Sequence, residues 1–174
     1  MNQPKQKATR KRKAAVAKRK AAPKAAEGGF AMAVGTRAPF DVRHSIGDII
    51  GVKGAVTQEQ VRAGLPAQSI VNLGACLQIT QGEMFVPIDI SKQTFQRRLE
   101  TGLLNKNESD RVVRYAQLLA LATELFEDSD EAARWLKTPA PALGNDTPMV
   151  HAETEMGARN VERLIGRLEH GIPT

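Results

Sequence analysis

The pattern of apolar positions in the second half of the chain has the period of α-helices. From Asn105 to Phe126 apolar residues fall on nearly every side of one long predicted helix, which indicates a helix covered on more than one face. A last helix is predicted over about 154–170. Its apolar residues lie three or four positions apart, which places them on one face of a helix: Val161, Leu164, Ile165 and Leu168. Because aromatic residues make up only 4% of the chain, a β-sandwich is disfavoured and the chain is predicted to be all-α.

Helix-start signals divide the remaining sequence into short helices. Capping boxes are predicted where a Thr or Asn precedes a Gln or Glu by three positions, at Thr57 and Asn105. Further starts are predicted at Thr80, Ser91, Ser129 and Thr147-Pro148. Residues 29–54 carry no clear signal, and their apolar positions fit short strands or loose packing: Val42, Ile46, Ile49, Ile50 and Val52.

A polar, basic helix after Ser91 is the first candidate for function. It follows a short helix and a tight turn at Asp89-Ile90, as the recognition helix of a helix-turn-helix does. Phe95 and Leu99 lie four apart and can share the core face. The candidate DNA-binding residues are Ser91, Lys92, Gln93, Thr94, Gln96, Arg97 and Arg98. The alternative is an ordinary amphipathic surface helix, and Pro87 is expected to shorten or kink the helix before the turn.

Within that set, the side-chain chemistry suggests two roles. Gln93 and Arg97 can hydrogen-bond base edges, whereas Lys92 and Arg98 are expected to hold phosphates.

The positive charge of the chain is concentrated at its N-terminus. The net charge is +6, but residues 1–24 hold ten Lys and Arg and no acid, so the rest has 15 basic and 19 acidic residues. Such a segment buries too little apolar surface to offset its ordering entropy, and residues 1–28 are predicted to be a disordered basic tail. The tail either solubilises the protein or adds sequence-independent affinity for DNA.

Residues with catalytic or metal-binding potential are few. Cys76 is the single cysteine and is expected to be a small core residue. The three histidines have no metal-ligand spacing, no phosphate-binding glycine loop is present, and His170 fits a helix cap. Trp135 is expected to lie in the core. The sequence therefore predicts a protein that is not an enzyme and that has no metal or cofactor.

The chain is expected to work in a cytoplasmic compartment and not at a membrane. No apolar run reaches the length of a membrane-spanning helix, and the basic N-terminus lacks the apolar stretch of a secretory signal. A single cysteine fits a reducing compartment.

A resemblance to a known family rests on the C-terminal motifs. The stretch Ala133-Arg134-Trp135-Leu136-Lys137-Thr138-Pro139, followed by Leu143-Gly144, Thr147-Pro148, Thr154, Gly157, Val161, Leu164 and Glu169-His170-Gly171, resembles the toxin-binding domain of Xre/MbcA/ParS-type antitoxins. Ile90 to Arg98 is similar to the recognition-helix region of the same family, and Glu108 to Arg111 to the start of its long helix. The chain departs from the family pattern at two places. Pro87 lies in the helix before the turn of the helix-turn-helix, and His151-Ala152 stands where leucine-like residues are expected.

The resemblance implies an antitoxin with two functional parts. A helix-turn-helix DNA-binding domain is expected over 55–104 and a toxin-binding domain over 105–174. The implied partners are a cognate toxin of the RES type, which consumes NAD or transfers ADP-ribose, the operator DNA and a second copy of the chain. The candidate toxin-binding residues are Arg159, Arg163, Arg167, His170, Gly171, Ile172, Pro173 and Thr174; a solvated basic helix face is the alternative.

Two other functions remain open from the sequence. A free-standing helix-turn-helix regulator would bind DNA and no toxin. A non-specific nucleic-acid chaperone would depend entirely on residues 1–24.

Overall fold

The computed structural model describes residues 42–171, and within that range the chain is all-α, as predicted. The predictions for residues 1–28, for 29–41 and for Ile172, Pro173 and Thr174 concern positions outside the described range. The helices are α1 (Val42–Ile50), α2 (Gln58–Ala63), α3 (Gln68–Leu77), α4 (Gln81–Ile88), α5 (Lys92–Thr101), α6 (Lys106–Phe126), α7 (Ser129–Leu136), α8 (Pro148–His151) and α9 (Glu155–Glu169), with a 3-10 turn over Pro141–Leu143. Of the helices in the described range, none is long and apolar enough to cross a bilayer.

Helix α6 forms the centre of the fold. It packs against α1, α2, α3 and α4 on the N-terminal side and against α7 and α9 on the C-terminal side. Its buried side chains come from several faces and include Val112, Tyr115, Ala116, Leu119 and Ala122. The prediction of a helix covered on more than one face is therefore confirmed.

The segment before α2 departs from the expectation of strands or loose packing. Residues 42–50 form helix α1, and Ile46 and Ile50, four residues apart, are buried against the core. The spacing of its apolar residues alone did not distinguish a helix from short strands. Packing against α3 and α6 supplies the stabilisation that a nine-residue helix lacks by itself.

The predicted helix starts are confirmed by their hydrogen bonds. Thr57, Thr80 and Asn105 each form a complete capping box with the residue three positions on. Pro87 lies in the last turn of α4, which ends one residue later, and Asp89 then adopts a left-handed conformation with φ of 57°. The proline thus shortens the helix, as expected, without disturbing its capped start.

Several side chains predicted to be buried are not. Cys76 is exposed, because α3 turns Ile70, Leu73 and Leu77 inward and position 76 falls off that face. Partial burial raises the pKa of its thiol, which disfavours the reactive thiolate. Leu99 and Leu168 are 38% and 37% exposed.

Trp135 was expected in the core but is only half-buried. It packs on Phe126 with ring centroids 5.8 Å apart. The smaller neighbours Ala132 and Ala133 take the fully buried positions of α7, because they allow it to approach α6 closely.

Candidate functional site

Helix α5 is held in place by a cap and by one buried ring. The Ser91 hydroxyl accepts a hydrogen bond from the Thr94 amide at 3.1 Å and contacts the Thr94 hydroxyl at 2.9 Å. Phe95 is fully buried, 5.5 Å from the ring centroid of Phe85 on α4. The two helices of the predicted helix-turn-helix are therefore joined through an aromatic contact beneath the turn at Asp89.

The outer face of α5 is polar and open. Lys92, Gln93, Gln96 and Arg97 are exposed, and Thr94 is half-buried. A groove of about 490 Å³ runs along this face, lined by Gln93, Thr94, Gln96, Arg97 and Glu100. Among the described residues, no carboxylate lies within ion-pair distance of Lys92 or Arg97. The structure thus places six of the seven predicted DNA-binding residues, all but Arg98, at the cap or on the outer face of one helix.

Arg98, which was expected to hold a phosphate, forms an ion pair within the protein. Its Nε and Nη2 atoms bind the two carboxylate oxygens of Glu108 at 2.8 and 3.1 Å. Glu108 is only 6% exposed, and its Oε2 also accepts a hydrogen bond from the Asn105 amide at 2.7 Å. A guanidinium held by both oxygens of a buried carboxylate fixes the C-terminal end of α5 to the start of α6.

The sequence carried no signal for this ion pair. The capping box with Asn105 already explained why a glutamate stands at position 108, and Arg98 lies ten residues away from it along the chain.

Helix α9 is anchored far more extensively than α5. Thr154 caps it, and five of its residues are buried: Gly157, Ala158, Val161, Leu164 and Ile165. A Cβ atom at Gly157 would overlap the backbone carbonyl oxygen of His151, so this close approach of α9 to α8 requires glycine.

The three arginines predicted to form one stripe on α9 separate into two sites. Arg159 pairs with Glu155, Nε to Oε1, at 3.2 Å and borders a groove shared with α6. Arg163 and Arg167 instead line a cavity on the neighbouring face of the helix with His151 and Asn160. Each step of four residues turns by about 40° around a helix, so the stripe drifts away from a single face.

The C-terminal end of α9 is exposed. The His170 amide donates to the Gly166 carbonyl as a helix cap, in agreement with the cap expected there, and Gly171 follows with φ of 64°.

Two contacts of α6 that the sequence did not indicate position the C-terminal helices. Arg114 binds Asp110 at 3.3 Å and Glu155 at 3.2 Å, which joins α6 to the start of α9. The Tyr115 hydroxyl donates to the Met149 carbonyl at 3.2 Å, and burial raises the pKa of Tyr115 to about 12.

A third set of contacts connects α3 with α7. The Lys137 ammonium donates to the Leu77 and Gln78 carbonyls at 2.7 and 3.3 Å. The Gln78 amide donates to Asp130 at 2.7 Å. The lysine satisfies carbonyls at the end of α3 that have no partner within that helix.

Comparison with known proteins matches the segments that contain α5 and α9 to two domains of one family. Residues 57–117, which contain α5, match the antitoxin Xre-like helix-turn-helix domain. Residues 121–171, which contain α9, match the antitoxin Xre/MbcA/ParS C-terminal toxin-binding domain. Antitoxin Xre of Yersinia enterocolitica serotype O:8 / biotype 1B is 33% identical over 122 residues, which cover 69% of this chain and 82% of that protein. The chain belongs to the Xre antitoxin family.

Two further relatives support the assignment. Antitoxin Xre of Photorhabdus laumondii subsp. laumondii is 35% identical over 111 residues, covering 63% of this chain and 75% of the relative. The Prs ADP-ribosylating antitoxin of Sphingobium sp. (strain YBL2) is 25% identical over 121 residues, covering 64% of this chain and 76% of the relative.

Family membership gives the chain its general function. It is an antitoxin with a helix-turn-helix domain and a toxin-binding domain, and it belongs to a regulatory family, not to an enzyme family. The two matched ranges meet inside α6, between residues 117 and 121, whereas the sequence suggested a division at residue 105. Helix α6 is therefore common to both functional parts.

Proposed function

We propose that this antitoxin binds and neutralises a RES-type toxin that consumes NAD or transfers ADP-ribose, and that it represses its own operon by binding operator DNA. The observation that supports both activities is the distribution of exposed cations. Lys92 and Arg97 on α5, and Arg163 and Arg167 on α9, have no carboxylate within ion-pair distance among the described residues. Each pair lies in a different family domain.

The DNA-binding surface is the outer face of α5. Gln93 and Arg97 hydrogen-bond base edges, Lys92 binds phosphate, and the capped helix start at Ser91 and Thr94 approaches the backbone. Gln96 completes the polar face. Arg98 supports this surface from behind through Glu108. The basic residues of segment 1–24 add sequence-independent affinity for DNA.

The toxin-binding surface comprises α9 and the residues that follow it. It includes Arg159, Arg163, Arg167, His170 and Gly171, together with Ile172, Pro173 and Thr174, which lie outside the described range. A toxin that binds NAD has a pocket for negatively charged phosphates, and a basic helix end is complementary to its entrance. The antitoxin acts in the bacterial cytoplasm as a homodimer within a toxin–antitoxin complex.

Growth rescue and operator binding measured on the same variants test both activities. Co-expression of the full chain with the product of the neighbouring toxin gene should restore growth, and the two proteins should co-purify. Changing Gln93 to Ala should relax operator specificity at one base pair, at a cost of about 1–3 kcal/mol of discrimination, and leave growth rescue unchanged. Because α6 needs α1 to α4 to cover it, the full chain should be used instead of a fragment from residue 105.

Three results would count against the proposal. Failure to rescue growth would contradict the toxin activity. Rescue without sequence-specific DNA binding would contradict the repressor activity. DNA binding without any toxin partner would support the free-standing regulator, which the match of residues 121–171 to a toxin-binding domain disfavours.

A further inference from the structure

A polar cavity of about 600 Å³ lies between α9 and the loop that precedes α8. We call it the basic pocket: its polar side chains are His151, Asn160, Arg163 and Arg167, and Ala142, Leu143 and Gly144 form the opposite wall. Leu143 is buried, and α9 is anchored from below by Val161, Leu164 and Ile165. The pocket therefore sits on a rigid support, although the two arginines themselves are exposed.

The arginines of the basic pocket differ from the other arginines of the C-terminal half. Arg114, Arg134 and Arg159 each have a carboxylate within 3.3 Å. Arg163 contacts only the side-chain oxygen of Asn160, at 3.5 Å, and no hydrogen bond or ion pair of Arg167 is found among the described residues.

Asp146 contacts one of the pocket residues, since its carboxylate lies 3.5 Å from Nδ1 of His151. Among the described residues, no carboxylate lies within ion-pair distance of Arg163 or Arg167. Two guanidinium groups four residues apart on one helix thus line a cavity without an ion-pair partner in the described part of the chain.

We propose that the basic pocket receives the carboxylate of an acidic side chain of the toxin, with Arg163 and Arg167 as its partners. This inference rests on the proposed neutralising function and names the site within the surface. Guanidinium groups bind carboxylates through paired, charge-assisted hydrogen bonds. In this arrangement the toxin supplies the carboxylate that no described residue of the chain provides within ion-pair distance of these arginines.

The charge of the surrounding half favours a single carboxylate over a nucleic acid. Residues 105–171 contain eight Lys and Arg against 12 Asp and Glu. A net negative surface repels a long polyanion, whereas one acidic side chain contacts only the local positive charge of the pocket.

The test compares arginines of the pocket with an exposed arginine outside it. Arg163→Gln and Arg167→Gln remove the unmatched charges, and Arg134→Gln, on α7, removes an arginine that already pairs with Glu131. Binding of each full-length variant to the purified product of the neighbouring toxin gene is measured by calorimetry. Either pocket variant should weaken binding about 10-fold or more, and Arg134→Gln about 2-fold or less. Because both pocket arginines are exposed, thermal unfolding of all three variants should match the unchanged protein.

A charge exchange identifies the chemistry of the occupant. Arg163→Glu should bind poorly, and one Asp→Lys or Glu→Lys change in the toxin should restore its binding. Equal binding by the unchanged chain and both pocket variants would overturn the assignment of the pocket, and so would loss of operator binding with toxin binding intact. Failure of the unchanged chain to bind the toxin at all would overturn the proposed function itself.

Discussion

Helices α5 and α9, which we propose to bind DNA and toxin, present similar exposed cations but are held in opposite ways. In α5 one side chain, Phe95, is buried, and the helix ends at an ion pair between Arg98 and Glu108. In α9 five residues are buried along one face, and Gly157 allows direct backbone contact with α8. Helix α5 thus depends on a few strong local contacts, and helix α9 on an extended apolar face.

This difference predicts where each function is vulnerable. A helix held by one ring and one ion pair loses its orientation when either is removed. A helix held by a continuous face tolerates changes at its edge, and only a change that separates it from its neighbours displaces it.

The largest single effect should come from Phe95→Ala. Removing a fully buried ring should lower the free energy of unfolding by about 3–5 kcal/mol and abolish operator binding. Denaturant unfolding measures the loss of stability, and a mobility-shift assay measures the loss of operator binding. Leu99→Ala on the same helix is the matched control: Leu99 is 38% exposed, so its loss should cost only about 1–2 kcal/mol. Equal losses at the two positions would show that α5 is not anchored by Phe95.

Gly157→Ala should separate α9 from α8. The added methyl group overlaps the His151 carbonyl, and accommodating it should cost about 1–3 kcal/mol and weaken toxin binding. Gly166→Ala, where a Cβ meets open space, should stabilise the same helix by up to about 1 kcal/mol. Thermal unfolding should show a lower midpoint for Gly157→Ala and a higher midpoint for Gly166→Ala. Midpoints that shift in the same direction for both variants would contradict the contact between α8 and α9.

Arg98→Gln should weaken operator binding without changing its salt dependence. The substitution leaves the buried Glu108 without its partner, at a cost of about 1–3 kcal/mol in the free energy of unfolding. If Arg98 held a phosphate, the slope of log affinity against log salt would become shallower by about 0.9. Glu108→Gln should reproduce the effect of Arg98→Gln, whereas Lys92→Gln should change the slope. A shallower slope for Arg98→Gln alone would restore the phosphate role.

Tyr115→Phe should have the smallest effect. Because it removes the hydrogen bond to Met149, it should lower the free energy of unfolding by about 1 kcal/mol at neutral pH. Because the folded-state pKa of about 12 is above the unfolded value near 10, the tyrosine favours folding fully below pH 10. This contribution is lost as the pH rises from 10 towards 12. Unfolding followed over that range should show a steeper loss for the unchanged protein than for the Phe variant. Parallel curves would mean that the phenol is not buried in the folded protein.

Features that depend on residues close together in the chain could be predicted from the sequence. The caps at Thr57, Thr80, Ser91 and Asn105 were predictable because a cap depends on side chains only three residues apart. The identity of α5 as a polar helix after a turn was predictable for the same reason.

Long-range partners were not predictable from the sequence. The charge of Arg98 suggested a phosphate contact. Its ion pair with Glu108 forms only because the start of α6 folds back against the end of α5. Cys76, Leu99 and Leu168 were expected to be buried because their neighbours or their spacing suggested it, yet none of them is buried.

Local chemistry therefore determined the all-α class, the helix boundaries and the position of the polar helix α5. Tertiary structure decided that residues 42–50 form a helix, because packing on α3 and α6 stabilises it. It also decided that Arg98 pairs with Glu108. These two outcomes depend on which distant segments of the chain meet, and the spacing of residues within one helix does not contain that information.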